Sequence, residues 1–372
     1  MTTSTSMNPL QYTLIVALLT VGPGLSSAQE NGHLSSLPIT DGPVEVQIGF
    51  QLFDITDVNE KEETVEFEGG IYLMWMDPRQ AYDPAEWGYS RDDWVPGDYS
   101  SRPRRIYQGH FAVEELFQGW RPRIDLTNGI GNRQTNNQAV GVWPDGMMAY
   151  AEHFSAKAET PFNLKRFPFD RQSVKMYFHP FFFPRSDVLL VQSDALSGTW
   201  FQDTGIADWK KSNLEFRERP LEYTLTDGDK AVYSQLVVTL DMARRPGNVL
   251  FSIIFPLLVL VSLTWCVFWM DEEATSNRVN ISLVGILSVV AYYFVVLDSV
   301  PKIPYLTMMD AFMIATFLIL ASTVVVSIVV DKLNRAGRKS TGDRVDRVSR
   351  WAFPLGYTLV IVGIVIVYFQ MD

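Results

Sequence analysis

Four long apolar runs fill the last third of this chain, and they constrain its fold more than any other feature. The first, VLFSIIFPLLVLVSLTWCVFWM, occupies 249–270, and the others are Val279–Val300, Tyr305–Val330 and Trp351–Gln370. Each is long enough to cross a bilayer as a helix, for which about 20 apolar residues suffice. Pro256 falls inside the first run, and a membrane helix tolerates a proline where its neighbours satisfy the freed carbonyl. By contrast, the stretch from Gly32 to Pro246 reads as an ordinary aqueous chain. One half is therefore expected in water and the other in lipid.

The first residues follow a different logic. Leu14–Val21 is a short apolar core, followed by the breaker Gly22-Pro23-Gly24 and the small residues Ser26-Ser27-Ala28. Too short to span a bilayer, it predicts a signal peptide over 1–28 cleaved before Gln29. The absence of Lys or Arg ahead of it keeps an N-terminal strand or anchor as the alternative. An exported N-terminus and four spans put the link Asp331–Arg350 in the cytoplasm. Its Lys332, Arg335, Arg338, Lys339, Arg344, Arg347 and Arg350 suit that side of the membrane.

The single cysteine, Cys266, lies in an apolar run, so no intrachain disulfide can form. The aqueous half must be held by core packing, which more than 200 residues can supply. A formal charge of −11, carried mostly by that half, argues against nucleic acid and would concentrate small cations near the surface. A merely solvated acidic surface explains the charge equally well.

Within the aqueous half, VEVQIGFQLFDI alternates apolar and polar residues, TDVNEKEE reads as a charged turn, and TVEFEGGIYLMWM resumes the alternation. That is a long hairpin with one buried face. Shorter strands follow in QAVGVWPDGMMAYAEHFSAKAE, QSVKMYFHPFFF, DVLLVQ, LEYTLT and AVYSQLVVTLDMA, parted by turns at Pro144-Asp145-Gly146 and Asp227-Gly228-Asp229. Strands without helical periodicity between them predict a β-sandwich or barrel. EELFQGWRPRIDLTNGIG, rich in breakers, is expected as a connection with room for a short helix.

No catalytic constellation is visible. His33, His110, His153 and His179 are scattered, no His/Cys cluster has metal-ligand spacing, and no nucleophile elbow, zinc-protease or phosphate-loop motif occurs. Neither an enzyme nor a cofactor is indicated. The second apolar run does carry a signal: Asn280, Val284, Leu287, Ala291, Phe294 and Asp298 share one helical stripe, polar at its foot, apolar in the middle and acidic at its head. A ring of such helices would enclose a pore closed by dewetting at its waist. Ser282, Ser288 and Tyr292 make a second polar face, and small polar residues in membrane helices also serve as packing contacts. Spacing alone leaves both readings open.

Several stretches then converge. FPFD before Arg171-Gln172, WPDG at Trp143–Gly146, the Arg-Pro step ahead of the first helix, Pro256, VPKIPY at Val300–Tyr305, SVVAYYF and WAFPLGY together resemble pentameric ligand-gated ion channels. The prokaryotic members, which lack the two cysteines that name the Cys-loop receptors, are the nearer likeness. It runs from about Val44 to Gln370, and its ordered combination is far more specific than any one motif.

The resemblance implies a homopentamer with a β-sandwich periplasmic domain (29–246) and a four-helix transmembrane domain (247–372) around a central pore in the bacterial inner membrane. It favours the stripe from Asn280 to Asp298 as pore lining, with Leu287 and Phe294 as gate rings. It sets the FPFD knuckle, Phe167, Pro168, Phe169 and Asp170, against the link that holds Val300, Pro301, Lys302 and Ile303. Arg244 is then expected near Asp170 and the acids of the turn around Glu60, where Asp170 otherwise caps its own turn.

For the agonist, the resemblance implies an aromatic box between adjacent sandwiches, drawn from Trp143, Tyr150, His179, Pro180, Phe181, Tyr223 and Tyr233, with Tyr72 from the neighbouring subunit. Aromatic faces suit an ammonium group, and His179 suits a response to protons. Most aromatic residues of a β-sandwich are core, which is the competing expectation. Expected partners are a second copy of the chain, a small-molecule agonist such as an amine or else protons, permeant monovalent cations, and membrane lipids. At the cytoplasmic mouth Ser276 and Asn277 stand where cation channels of the family usually bear an acid, and Asp271, Glu272 and Glu273 are the nearest carboxylates. With Asp298 at the outer end, cation selectivity is expected; an anion channel on the same scaffold and a poreless membrane-anchored sensor are the rivals.

Overall fold

The computed structural model describes residues 34–90, 99, 104–199, 206–224, 230–270, 275–299 and 303–370, without the side chains of 212, 275, 276 and 296–299. The expected signal peptide and the turn at 227–229 lie outside the described residues, as do Asp271, Glu272, Glu273, Val300, Pro301 and Lys302.

The aqueous half is a two-sheet sandwich. Its strands are β1 (Val44–Asn59), β2 (Thr64–Met76), β3 (Arg105–Gln108), β4 (Ile124–Leu126), β5 (Gln134–Val142), β6 (Met147–Glu159), β7 (Arg171–Pro180), β8 (Val188–Gln192), β9 (Gly198–Thr199), β10 (Trp209–Thr224) and β11 (Lys230–Arg244). One sheet runs β3-β5-β6-β2-β1-β8, with β9 also on β1; the other runs β10-β11-β7-β4. Neighbours are antiparallel except where β8 and β9 lie parallel to β1.

Alternation in β1 turns Val44, Val46, Ile48, Phe50 and Leu52 inward. Phe50 and Phe154 from the first sheet meet Phe178 from the second, with Phe50 and Phe178 centroids 5.1 Å apart, and Phe67 packs on Phe50 and Phe154. Room for this cluster depends on Gly69, where a Cβ would come within 2.6 Å of the Phe50 ring. The β5–β6 hairpin turns at Pro144-Asp145-Gly146, with Gly146 at φ 90° and Asp145 accepting from the Met147 N–H at 3.0 Å.

Two local expectations change. β1 continues through TDVN, so the charged turn shrinks to 60–63; register shifts between Leu52 and Asp54 and between Ile55 and Asp57 absorb the break in alternation. In the breaker-rich segment, Ala112–Leu116 forms a single π turn and Ile124–Leu126 joins the second sheet as β4 rather than remaining a connection.

Four helices follow: α1 (Gly247–Trp269), α2 (Thr275–Ser299), α3 (Met308–Arg335) and α4 (Lys339–Gln370). All are long and apolar enough to cross a membrane. Within α1, the turn before Pro256 widens to π geometry over Leu250–Ile254, which accommodates the missing N–H. α4 starts at Lys339, well before the apolar run at Trp351, because its first turns are amphipathic: Asp346 and Ser349 face inward while Arg344 and Arg347 face out. Only Ala336–Arg338 separates α3 from α4, turning at Gly337 with φ 77°.

Candidate pore face, domain junction and ligand sites

Helix α2 has two opposite faces. At 100° per residue, Arg278, Ser282, Gly285 and Val289 form one stripe, and Asn280, Val284, Leu287, Ala291 and Phe294 lie about 180° away. The first stripe is buried and the second exposed. Gly285 allows close approach to α1, since a Cβ there would stand 2.6 Å from the Thr264 hydroxyl. On the other side Leu287 is 69% and Phe294 65% exposed. Asp298 belongs to the same helix, and its side chain is outside the described residues. Of the second polar face, Ser282 is turned into the bundle, Ser288 donates to the Val284 carbonyl at 2.9 Å and Tyr292 is half-buried.

At the junction between the two halves, Arg244 ends β11 and is clamped by two acids. Its Nε and Nη2 donate to the two Asp170 oxygens at 2.7 and 3.3 Å, and Nη1 donates to Glu60 at 2.7 Å. The guanidinium lies over Trp209 at 4.3 Å and Phe167 at 4.9 Å. Burial opposes the Arg244 charge, but Asp170 and Glu60 outweigh it and raise its pKa. Asp170 also accepts from Gln172 Nε2 at 2.6 Å. Gln172 in turn bonds the Asn163 backbone in both directions, which fixes the base of the knuckle.

Helix contacts spread along the knuckle. The Tyr305 hydroxyl accepts from the Leu164 N–H at 3.1 Å, and the Met308 N–H donates to the Lys165 carbonyl at 2.8 Å. Arg166 donates to the Tyr368 carbonyl at 3.0 Å. Phe169 meets Phe369 with centroids 6.2 Å apart. Phe167 turns under Arg244 and is buried, as is Pro168. The end of α4 as a seat for this loop was not among the expectations; the helix-terminal sequence VYFQ holds an aromatic residue but no pattern that pairs it with Phe169.

The eight aromatic-box candidates fall into separate places. His179, Tyr223 and Tyr233 cluster on the second sheet: His179 is 5.9 Å from Tyr233, edge to face, and 6.4 Å from Tyr223, while the tyrosines are 5.6 Å apart. Strand register explains it. Tyr223 and Tyr233 sit diagonally across the β10–β11 ladder, and Asp125 of β4 stands directly opposite His179. His179 Nδ1 is 2.9 Å from the Thr127 hydroxyl. Burial lowers the imidazole pKa, and the nearby Asp125 offsets part of that. Tyr223 is exposed, Tyr233 half-buried, Pro180 buried and Phe181 exposed. Asp125 and Thr127 were missed by sequence reasoning, because the three-residue β4 gives almost no periodic signal.

Tyr150 does not join that cluster. It lines a cavity of about 440 Å³ between the first sheet and β4, with Arg121, Arg133, Glu114, Gln138 and Glu152, and Asp125 belongs to the same wall. Its hydroxyl is 3.1 Å from both Gln138 and Glu152, and Arg121 lies over its ring at 5.3 Å. Burial and the Glu152 charge push its pKa strongly up. Arg133 pairs with Glu152, and Arg121 with Glu114. Trp143 is buried against Tyr99, 5.7 Å away, with Arg104 of the same chain over its ring at 5.9 Å. Tyr72 is half-buried on β2 opposite Ala151 of β6, on the outward side of the first sheet.

A β-sandwich seated through residues 164–169 on four helices long and apolar enough to cross a membrane defines a two-domain membrane-protein subunit. The profile of the neurotransmitter-gated ion-channel ligand binding domain matches residues 32–246, and that of the transmembrane region matches 253–341. The chain belongs to this family of ligand-gated pentameric channels, which are not enzymes. Among its relatives, a proton-gated ion channel of Gloeobacter violaceus is 26% identical over 335 residues, 89% of this chain and 85% of that one. The human gamma-aminobutyric acid receptor subunit gamma-3 is 25% identical over 191 residues, 50% of this chain and 38% of the relative.

Proposed function

We propose that the chain forms a homopentameric, cation-selective channel whose pore is lined by Asn280, Val284, Leu287, Ala291, Phe294 and Asp298 and is gated by a small molecule or by protons. The observation that carries this reading is the bare apolar stripe of α2 opposite a face packed into the bundle. Leu287 and Phe294 then form the hydrophobic constriction, which closes by excluding water. Cation selectivity draws on Asp298 at one end of the stripe and on the net acidity of the chain.

Residues 29–246 form the ligand-binding domain and 247–372 the membrane domain, and the signal peptide over 1–28 directs the first to the periplasm and the second to the bacterial inner membrane. The basic residues between α3 and the apolar part of α4 favour that orientation. The agonist site is centred on His179, Tyr223 and Tyr233 with Pro180 and Phe181, completed by Tyr72 of the adjacent subunit. Opening is transmitted through Phe167, Pro168, Phe169, Asp170, Arg244 and Glu60 to the α2–α3 link at Pro301 and Lys302. The name of the Gloeobacter relative makes protons a natural first agonist to test, and His179 a group able to respond.

Leu287→Ser tests the pore directly. A gate residue made polar should give leak current or a channel opened at lower stimulus, because a wetted constriction no longer resists ions. Background ion flux from folded Leu287→Ser protein in the membrane would leave the poreless sensor as the better reading.

A further inference from the structure

Arg278 and Asp346 form a buried ion pair between α2 and α4, far from the junction and from every ligand site considered above. Nη1 of Arg278 lies 2.9 Å from Asp346 Oδ2, and the two side chains are 3% and 8% exposed. Arg278 also donates to the Met270 carbonyl at the end of α1. Arg350, one helical turn after Asp346, donates to the Phe268 carbonyl at 3.0 Å. The pair thus sits in a knot of three helices at the cytoplasmic end of α2.

The direction of Arg278 matters for permeation. It lies on the stripe with Ser282, Gly285 and Val289, about 200° around the helix from Asn280. It also occupies the first turn of α2, where the helix dipole already supplies positive potential and a further cation is unfavourable. Asp346 is the only carboxylate paired with it among the described residues.

We infer that Asp346, on a helix that lines no pore, is a determinant of ion selectivity: it neutralises Arg278 and holds it on the face turned from the axis. The inference rests on the reading of α2 as the pore helix. Without Asp346, the Arg278 charge is uncompensated at the narrow cytoplasmic mouth, where low-dielectric walls carry its field into the permeation path. Cations would be repelled there and anions admitted.

The test compares wild type, Asp346→Asn, Asp346→Glu and the double variant Arg278→Gln/Asp346→Asn by reversal potential in a NaCl gradient and by single-channel conductance. Asp346→Asn should lower the cation-to-anion permeability ratio by on the order of tenfold and reduce cation conductance. Asp346→Glu should keep both near wild type, and the double variant should restore them, because no free charge remains. An Asp346→Asn channel with wild-type reversal potential and conductance overturns the inference. So does a double variant that keeps the shift, since packing rather than charge would then be responsible.

Breaking a buried pair can cost folding. Should Asp346→Asn fail to reach the membrane alone, tagged Asp346→Asn subunits coexpressed with wild type should give intermediate reversal potentials, and an unchanged potential with the tag at the surface counts against the inference. Leu287→Ser in the same assay separates the two levels. If it leaves current untouched, the pore reading fails; if it alters current while Asp346→Asn leaves selectivity alone, only the Asp346 role fails.

Discussion

Phe169, at the tip of the sandwich knuckle, meets Phe369, in the last turn of α4, with ring centroids 6.2 Å apart and Arg166 over the Phe369 ring at 5.5 Å. An apolar knuckle that contains Pro168 is stiff, and stiffness is what a contact needs if motion on one side is to be felt on the other. The helix of the bundle that is most exposed along its length is therefore wired to the ligand-binding half. An aromatic pair is worth about 0.5 to 1.5 kcal/mol beyond its area. Phe369→Ala should shift half-maximal activation by roughly two- to tenfold, read from concentration–response curves, with single-channel conductance unchanged. A changed conductance would assign Phe369 to the pore structure instead.

Arg244 is predicted to be the most costly junction residue to remove. Its loss leaves Asp170 buried, with Glu60 partly exposed nearby, and a broken buried pair typically costs about 3 to 5 kcal/mol. Arg244→Gln should lower surface expression and thermal stability of purified protein. Arg244→Gln/Asp170→Asn should recover part of the loss, and an equal loss in the double variant would assign the cost to the stacking on Trp209 and Phe167.

The pH dependence of the aromatic cluster follows from His179. Its folded pKa lies below the ordinary 6.5, so the exposed imidazole binds a proton more readily than the buried one. The buried arrangement is fully favoured above about 6.5 and loses ground as pH falls below it. Acid thus favours any conformation in which His179 meets water. His179→Gln should flatten the acid side of the stability and activation profiles, and superimposable profiles would make His179 silent.

Tyr150 and Tyr233 are predicted to respond differently, since one lines the charged cavity and the other belongs to the aromatic cluster. Tyr150→Phe removes a hydroxyl whose single proton is shared between the buried Gln138 and Glu152 oxygens, each 3.1 Å away, and should cost about 1 to 3 kcal/mol of stability, measured by denaturation. Amine sensitivity should respond to Tyr233→Ala and not to Tyr150→Phe; the reverse pattern would move the agonist into the cavity.

Gly285→Val tests the seat of α2 on α1. Its side chain would be driven into Thr264, and overpacking of this kind costs about 1 to 3 kcal/mol. Thr264→Ala in the same chain should relieve it, as seen in surface expression; no relief would mean that another neighbour is crowded.

Much of the fold was legible because its signals are periodic. Val44 to Leu52 announce β1 by strict alternation, and the membrane helices by sheer apolar length. The two faces of α2 emerge from the 3.6-residue repeat, since one helix alone determines which residues share a side. What escaped was set by partners distant in sequence. Asp125 and Thr127 come beside His179 only through the pairing of β4 with β7, and Tyr150, by type a fair member of an aromatic box, ends among arginines and carboxylates. The early start of α4 hid because its first turns are charged, and only Arg278, some 70 residues earlier, explains why Asp346 is buried.

α4 is fixed at both tips, by Phe169 and Arg166 at one end and by Arg278 and the carbonyl under Arg350 at the other. Its 32 residues measure about 48 Å, and little of its length is covered by protein. Placed in a bilayer, a rod pinned at its tips would register thickness as tension. Lipids of different length would then load the Phe169–Phe369 contact and the Arg278–Asp346 contact together, through one helix.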